Sequence, residues 1–226
     1  MKKGEEKAEL KVYGLDEAAK TIPTLSKSKF VGSINIDIVI NLKEKQKKES
    51  IRGSVNLPYS FGEEKKVIVL CEEKDAKKAT DAGALKAGLE GLTEEIMKAF
   101  SDFDIVIATP SVMPKIVKIG KVLGPKGLMP NPKNGTITDD LEKTISSFKS
   151  GKINFKSTPE QGVIRLKVGK LDMKPEEIKG NIVALLKSVF AEVRKLSSSP
   201  FKKIVISPTM GAGIKLDIND IMKHIQ

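Results

Sequence analysis

At 226 residues and 39% apolar, the chain can bury one sizeable core or two modest ones, and two small domains fit at least as well as one. A formal net charge of +11 makes a polyanion, nucleic acid above all, the leading partner class. A lone cysteine, Cys71, and a lone histidine, His224, exclude a disulfide framework and a Cys/His metal cluster, and no apolar stretch is long enough to span a bilayer. A soluble, cytoplasmic protein with no cofactor, no metal and no membrane partner is expected.

Residues 16–25 read as a short helix. Ile34-Asn35-Ile36-Asp37-Ile38-Val39-Ile40 then begins with strict apolar/polar alternation, the period of a half-buried strand. A second strand is expected over 50–57, ending at Pro58, and the charged run 43–49 reads as a solvated loop whose lysines could also touch phosphate.

From Lys66 the pattern changes. Val67-Ile68-Val69-Leu70 and Ile105-Val106-Ile107-Ala108 are short, continuous apolar runs separated by helical stretches, the last of them over 94–100. Strands without alternation, divided by helices, mark a parallel sheet covered on both faces. Residues 122–136 pack Gly, Pro, Asn and Lys so densely that a long, shaped, basic loop is expected, with no regular helix or strand through it. Pro125, Gly127, Pro130 and Pro132 should hold its shape, and Lys126 and Lys133 are candidate polyanion contacts. A helix over 139–150 follows, then a polar joint at 157–162.

Alternation resumes in Val163-Ile164-Arg165-Leu166-Lys167-Val168, which places Ile164, Leu166 and Val168 on one face and Arg165 and Lys167 on the other. A long helix over 175–196, with Pro175 at its start, carries apolar residues at helical spacing, and strands at 203–207 and 214–218 flank Pro208-Thr209-Met210-Gly211-Ala212-Gly213. The first and last thirds thus share one pattern and the middle another. A discontinuous terminal domain, 1–66 with 158–226, is expected to carry an inserted α/β domain, 67–157, with a hinge near 58–66 and 157–162.

Catalytic material is poor. There is no Ser/His/Asp set, no phosphate-binding Gly-x-x-x-x-Gly-Lys-Ser/Thr loop, and Gly211-Ala212-Gly213 lacks the third glycine of a dinucleotide fingerprint. Two readings of 207–213 stand: an ordinary β-turn, or an exposed turn that a polyanion backbone can approach, with Ser207 and Thr209 donating to phosphate or ribose. Phe30, beside Lys29, is either core or a face for ribose or base. The scarcity of aromatic residues argues for folded RNA, read by shape, 2′-OH and phosphate, over a single strand.

Residues 122–136 and 207–213 together strongly resemble the signature segments of the large-subunit ribosomal protein one family, of bacterial type, whose members form the mobile stalk beside the tRNA exit site. Segments 29–33, 51–58 and 164–170 resemble further family segments, in the family's order over nearly the whole chain. The resemblance implies an α/β and α+β fold: a discontinuous terminal domain, split βαβ-like with an antiparallel sheet, and an inserted Rossmann-like three-layer domain. It implies a non-enzymatic structural constituent of the large subunit that binds large-subunit rRNA and assists release of deacylated exit-site tRNA. It also implies repression of the protein's own-operon mRNA, and a monomer when free. Carried over by position, Phe30, Ser33, Ser207, Thr209, Met210 and Gly211 are the expected rRNA and mRNA contacts, with Lys29, Lys167, Gly169 and Lys170 as neighbours. Lys126 and Lys133 are a possible second contact with rRNA or tRNA. Two departures stand out: a shorter basic N-terminal segment than bacterial members carry, and Asn35 where an acidic residue is expected.

Overall fold

A computed structural model describes residues 11–26, 30–41, 51–62, 65–97, 102–158, 161–194 and 200–225. In chain order its strands are β1 (Val12–Tyr13), β2 (Ser33–Ile40), β3 (Arg52–Asn56), β4 (Val67–Leu70), β5 (Lys86–Gly88), β6 (Ile105–Ala108), β7 (Lys152–Thr158), β8 (Val163–Lys170), β9 (Phe201–Pro208) and β10 (Ile214–Leu216). The helices are α1 (Leu15–Thr21), α2 (Glu73–Asp81), α3 (Glu90–Met97), α4 (Met113–Ile116), α5 (Gly120–Lys126), α6 (Leu141–Lys149), α7 (Pro175–Val193) and α8 (Ile218–Ile225). Two compact units result: residues 1–51, 57–61 and 155–226 form one, and 52–56 with 62–154 the other.

In the terminal unit the strand order is β1-β10-β9-β2-β8-β7, with β2 central and antiparallel to both β8 and β9. The alternation of β2 explains the layer beneath. Ile34, Ile36, Ile38 and Ile40 are buried on one face, where Ile164, Ile204 and Ile206 join them. This face packs on α1 and α7, through Leu15, Ala18 and Ile22 of the first and Ile178, Ile182, Leu185, Leu186, Val189 and Val193 of the second. Each buried Leu, Ile or Val side chain among these contributes roughly 1.5–3 kcal/mol by removal from water. The N-terminus of α7 is fixed by Pro175 and by the Glu177 carboxylate, which accepts the Lys174 N–H at 3.1 Å. The opposite sheet face carries the polar half of the alternation and is open to solvent.

The inserted unit has three parallel strands in the order β5-β4-β6. Ile68, Leu70, Val106 and Ala108 face one helical layer that includes Leu92, Ile96, Ile116 and Leu123. Val67, Val69 and Ile107 face the other, built on Ala79, Leu141, Ile145 and Phe148. Continuous apolar strands are therefore explained by burial on both sides.

Residues 122–136 differ from expectation. They are not one loop, because α5 runs through Pro125 to Lys126. Pro125 is tolerated near the helix end on an exposed face, where water can serve the carbonyl that loses its N–H partner. Gly127, at φ 71°, then closes the helix, with its N–H donating to Gly124 O at 3.0 Å and the Leu128 N–H donating to Leu123 O at 3.1 Å. A short 3-10 turn at Pro132–Asn134 follows. The short pieces β1, β5, α4 and α8 were absent from the sequence reading, as was the strand β7. The charged run 43–49 lies outside the described residues.

Candidate nucleic-acid interface

Two segments distant in sequence meet at one edge of the terminal unit's open sheet face. Because β2 and β9 are antiparallel neighbours, with Ile34 opposite Pro208 and Asn35 opposite Ser207, the chain entering β2 lies beside the turn leaving β9. The Thr209 side chain joins them. Its hydroxyl donates to Ser33 O at 2.9 Å and accepts the Ser33 N–H at 3.0 Å, while the Thr209 N–H also donates to Ser33 O at 2.9 Å. The hydroxyl's only proton is thereby committed within the protein, so Thr209 places the segment instead of standing ready to donate to RNA.

Gly211 has an equally local reason. A Cβ there would lie 2.3 Å from Leu25 O and 2.7 Å from Pro208 Cγ, and Gly211 forms an antiparallel bridge with Ser26. Only glycine allows this turn to lie against the main chain that follows α1. The glycine expected to admit an RNA backbone admits the protein's own.

On this pinned rim, Phe30 and Met210 are both 58% exposed, and Val31 is 60% exposed. Large apolar side chains in water beside polar groups are what ribose or a base face would cover. Ser33 and Ser207 are half-buried, with Ser33 on the open sheet face opposite Lys170 and Ser207 opposite Asn35.

Lys167 reaches this face by regular alternation, and Lys170 through an irregularity. Between Ile34 and Asn35 the partner on β8 jumps from Gly169 to Lys167, so Val168 is the extra residue of a β-bulge. Regular alternation would turn Lys170 inward with Ile164. After the bulge Lys170 pairs with Ser33 and shares the open face with Lys167, whereas Val168 and Gly169 are both buried. A Cβ on Gly169 would meet Met173 Sδ at 3.0 Å and Ile178 Cγ1 at 3.9 Å, so Gly169 is spacing toward α7 and does not face a ligand.

By register, Arg165, Lys203 and Lys215 occupy the same open face, against Asp37, which lies 3.7 Å from Arg165. Arg165 is thus partly answered from within, and the face stays basic. Asp37 and the bulge are the features sequence reasoning missed. Asp37 could have been found by pairing its alternating position with the basic face of β8, but nothing in the sequence marks the bulge. Lys29, and the side chain of Lys133, lie outside the described residues; Lys126 is exposed at the end of α5 in the inserted unit.

Elsewhere chemistry is sparse. Among the described residues no group of three or more His, Cys, Asp and Glu could hold a metal ion, and no helix is long and apolar enough to cross a membrane. Cys71 is buried, and burial pushes its thiol pKa up, away from the reactive thiolate. His224 Nδ1 lies 2.9 Å from Asp220 O on its own helix. At the carboxyl ends of β4 and β5, where parallel sheets hold nucleotides, a crevice of about 700 Å³ is lined by Glu72, Glu73 and Glu95 against Lys86 and Lys115. That excess of carboxylates repels phosphate, which tells against a nucleotide-using enzyme.

Residues 19–212 match the model of the Ribosomal protein L1p/L10e family. Among similar proteins, the large ribosomal subunit protein uL1 of Malacoplasma penetrans is 42% identical over 212 residues, spanning 92% of this chain and 62% of that protein. The uL1 proteins of Fervidobacterium nodosum and Bacteroides thetaiotaomicron are 39% and 38% identical, each spanning 92% of this chain and 89% of its own length. With that match over most of its length and a mixed α/β architecture to go with it, the chain belongs to the ribosomal protein L1 family, in its bacterial form.

Proposed function

We propose that this protein is a structural, non-enzymatic constituent of the large ribosomal subunit in the cytoplasm, and that it binds large-subunit rRNA through the open sheet face of its terminal unit. The observation that carries this reading is the rim pinned by Thr209 and Ser33: exposed Phe30 and Met210 lie close to this pair along the chain, and Lys170 and Lys167 lie opposite Ser33 and Asn35 on the open sheet face. Phe30 and Met210 cover ribose or base faces, Ser33 and Ser207 offer hydroxyls to phosphate or 2′-OH, and the lysines neutralise phosphate. Membership of a ribosomal protein family supports ribosomal RNA as the partner.

Two further roles rest on the family resemblance and extend this surface. The same rim binds a matching fold in the protein's own-operon mRNA and so represses its translation. Lys126 and Lys133, in the inserted unit, contact exit-site tRNA and assist its release. The protein is a monomer when free. Sedimentation tests the first claim: the protein stays with large subunits washed at raised salt, and its complete loss to the supernatant would mean that it acts elsewhere.

A further inference from the structure

The bulge in β8 decides which way Lys170 points, and one buried side chain meets the main chain at that bulge. Asn181 is 0% exposed on the apolar face of α7, between buried Ile178 and Ile182 on one side and Leu185 on the other. An amide in such a place is costly unless its hydrogen bonds are made. Asn181 makes three. Its Nδ2 donates to Val168 O at 2.9 Å and to Tyr59 O at 2.8 Å, and its Oδ1 accepts the Tyr59 N–H at 3.0 Å.

Val168 is the residue with no partner on β2. Its carbonyl is met from the helix side by Asn181, and two residues on, the Lys170 N–H donates to Met173 Sδ at 3.4 Å. Gly169 lets this stretch lie close, because any Cβ there would press on that sulfur. The main chain over 168–170 is therefore held from beneath, with both donors of one amide fully used.

We propose that Asn181 is a positioning residue for RNA binding: by holding the carbonyl of Val168 it maintains the bulge that brings Lys170 onto the same face as Lys167. This rests on the RNA-binding reading of that face. Asn181 does not touch RNA. It acts through the geometry of two lysines on the far side of the sheet. An apolar side chain of similar size would take from the buried Val168 O the bond Asn181 donates and from Tyr59 both of its bonds to the amide, so the strand would lose its hold at the extra residue.

The test is a salt titration of binding to a large-subunit stalk rRNA fragment by the full chain, in wild type, Lys170→Ala, Asn181→Leu and the double variant. Asn181→Leu should make the dependence of log affinity on log salt shallower by about one phosphate contact, roughly 0.7–0.9 in slope. Adding Lys170→Ala to it should then change little, because the lysine is already displaced. Asn181→Ser, smaller and still polar, carries the same measurement if the leucine variant does not fold. A full Lys170→Ala effect in the Asn181 background, with an unaltered slope, would overturn the proposal and leave Asn181 a stability residue only. No effect of Lys170→Ala on the wild type would instead remove the RNA reading of the face, which is a separate failure.

Discussion

Replacing Thr209 with valine removes one hydroxyl and keeps the side chain's shape. Two hydrogen bonds disappear, the one donated to Ser33 O at 2.9 Å and the one accepted from Ser33 N–H at 3.0 Å. Each is worth about 0.5–1.5 kcal/mol net when intact, but both lie at an exposed site where water replaces part of the loss. The main-chain bond from the Thr209 N–H to Ser33 O also remains. Stability should therefore fall by only about 1 kcal/mol, measured by urea unfolding. Affinity for the rRNA fragment should fall further, by about tenfold or more, roughly 1.4 kcal/mol per tenfold, because Met210 and Ser33 lose their fixed spacing. Thr209→Ser keeps the hydroxyl and should stay near wild type in both assays. Equal affinities for wild type and Thr209→Val, or a serine variant as weak as the valine one, would refute the positioning role.

Gly211→Ala should cost about 1–3 kcal/mol of stability and weaken RNA binding, since its Cβ would lie 2.3 Å from Leu25 O; thermal unfolding equal to wild type would contradict the close approach. Lys167→Ala should lower affinity for the rRNA fragment and reduce the salt slope by roughly 0.7–0.9, with little change in thermal stability, as expected of an exposed phosphate contact. Asp16 is held below the ordinary carboxylate pKa of 3.8 by its hydrogen bond from Lys179, which ties α1 to α7. A depressed carboxylate stabilises the folded chain above the unfolded pKa and loses that contribution as pH falls through the folded value. The stability difference between wild type and Asp16→Asn should thus be present at neutral pH, begin to shrink below pH 3.8 and vanish once the pH is below the lowered folded value; a difference that does not shrink as pH falls below 3.8 would mean the pair is not its source.

The parts legible in the sequence were those fixed by local pattern. Ile34, Ile36 and Ile38 alternate because one sheet face is buried, and Val67–Leu70 does not because both faces are; each pattern names its layer. Among the family's signature residues Phe30, Ser33, Thr209 and Met210, the pairing of β2 with β9 brings Ser33 and Thr209 into contact. What stayed hidden depends on partners far along the chain. The helix through Pro125 is possible only because that face is exposed and Gly127 caps it. The two-residue β1 exists only because β10 lies beside it. The resemblance makes Gly211 an RNA contact and Gly169 its neighbour, yet the atoms that a Cβ on them would meet are Leu25 O and Met173 Sδ, contacts that no local motif announces. Lys170 reads as inward by period two, and only the register shift opposite Asn35 reverses it.

The most direct test is equilibrium binding of the full chain to a large-subunit stalk rRNA fragment and to an unrelated RNA duplex, for wild type and for Phe30→Ala/Met210→Ala. Both side chains are 58% exposed, so the double variant should keep its thermal stability. If the rim of the terminal unit is the rRNA site, wild type prefers the stalk fragment strongly, and the double variant loses most of that preference while its weak, salt-sensitive binding to the duplex stays unchanged. A double variant that still discriminates the stalk fragment as wild type does would place the RNA site elsewhere on the molecule.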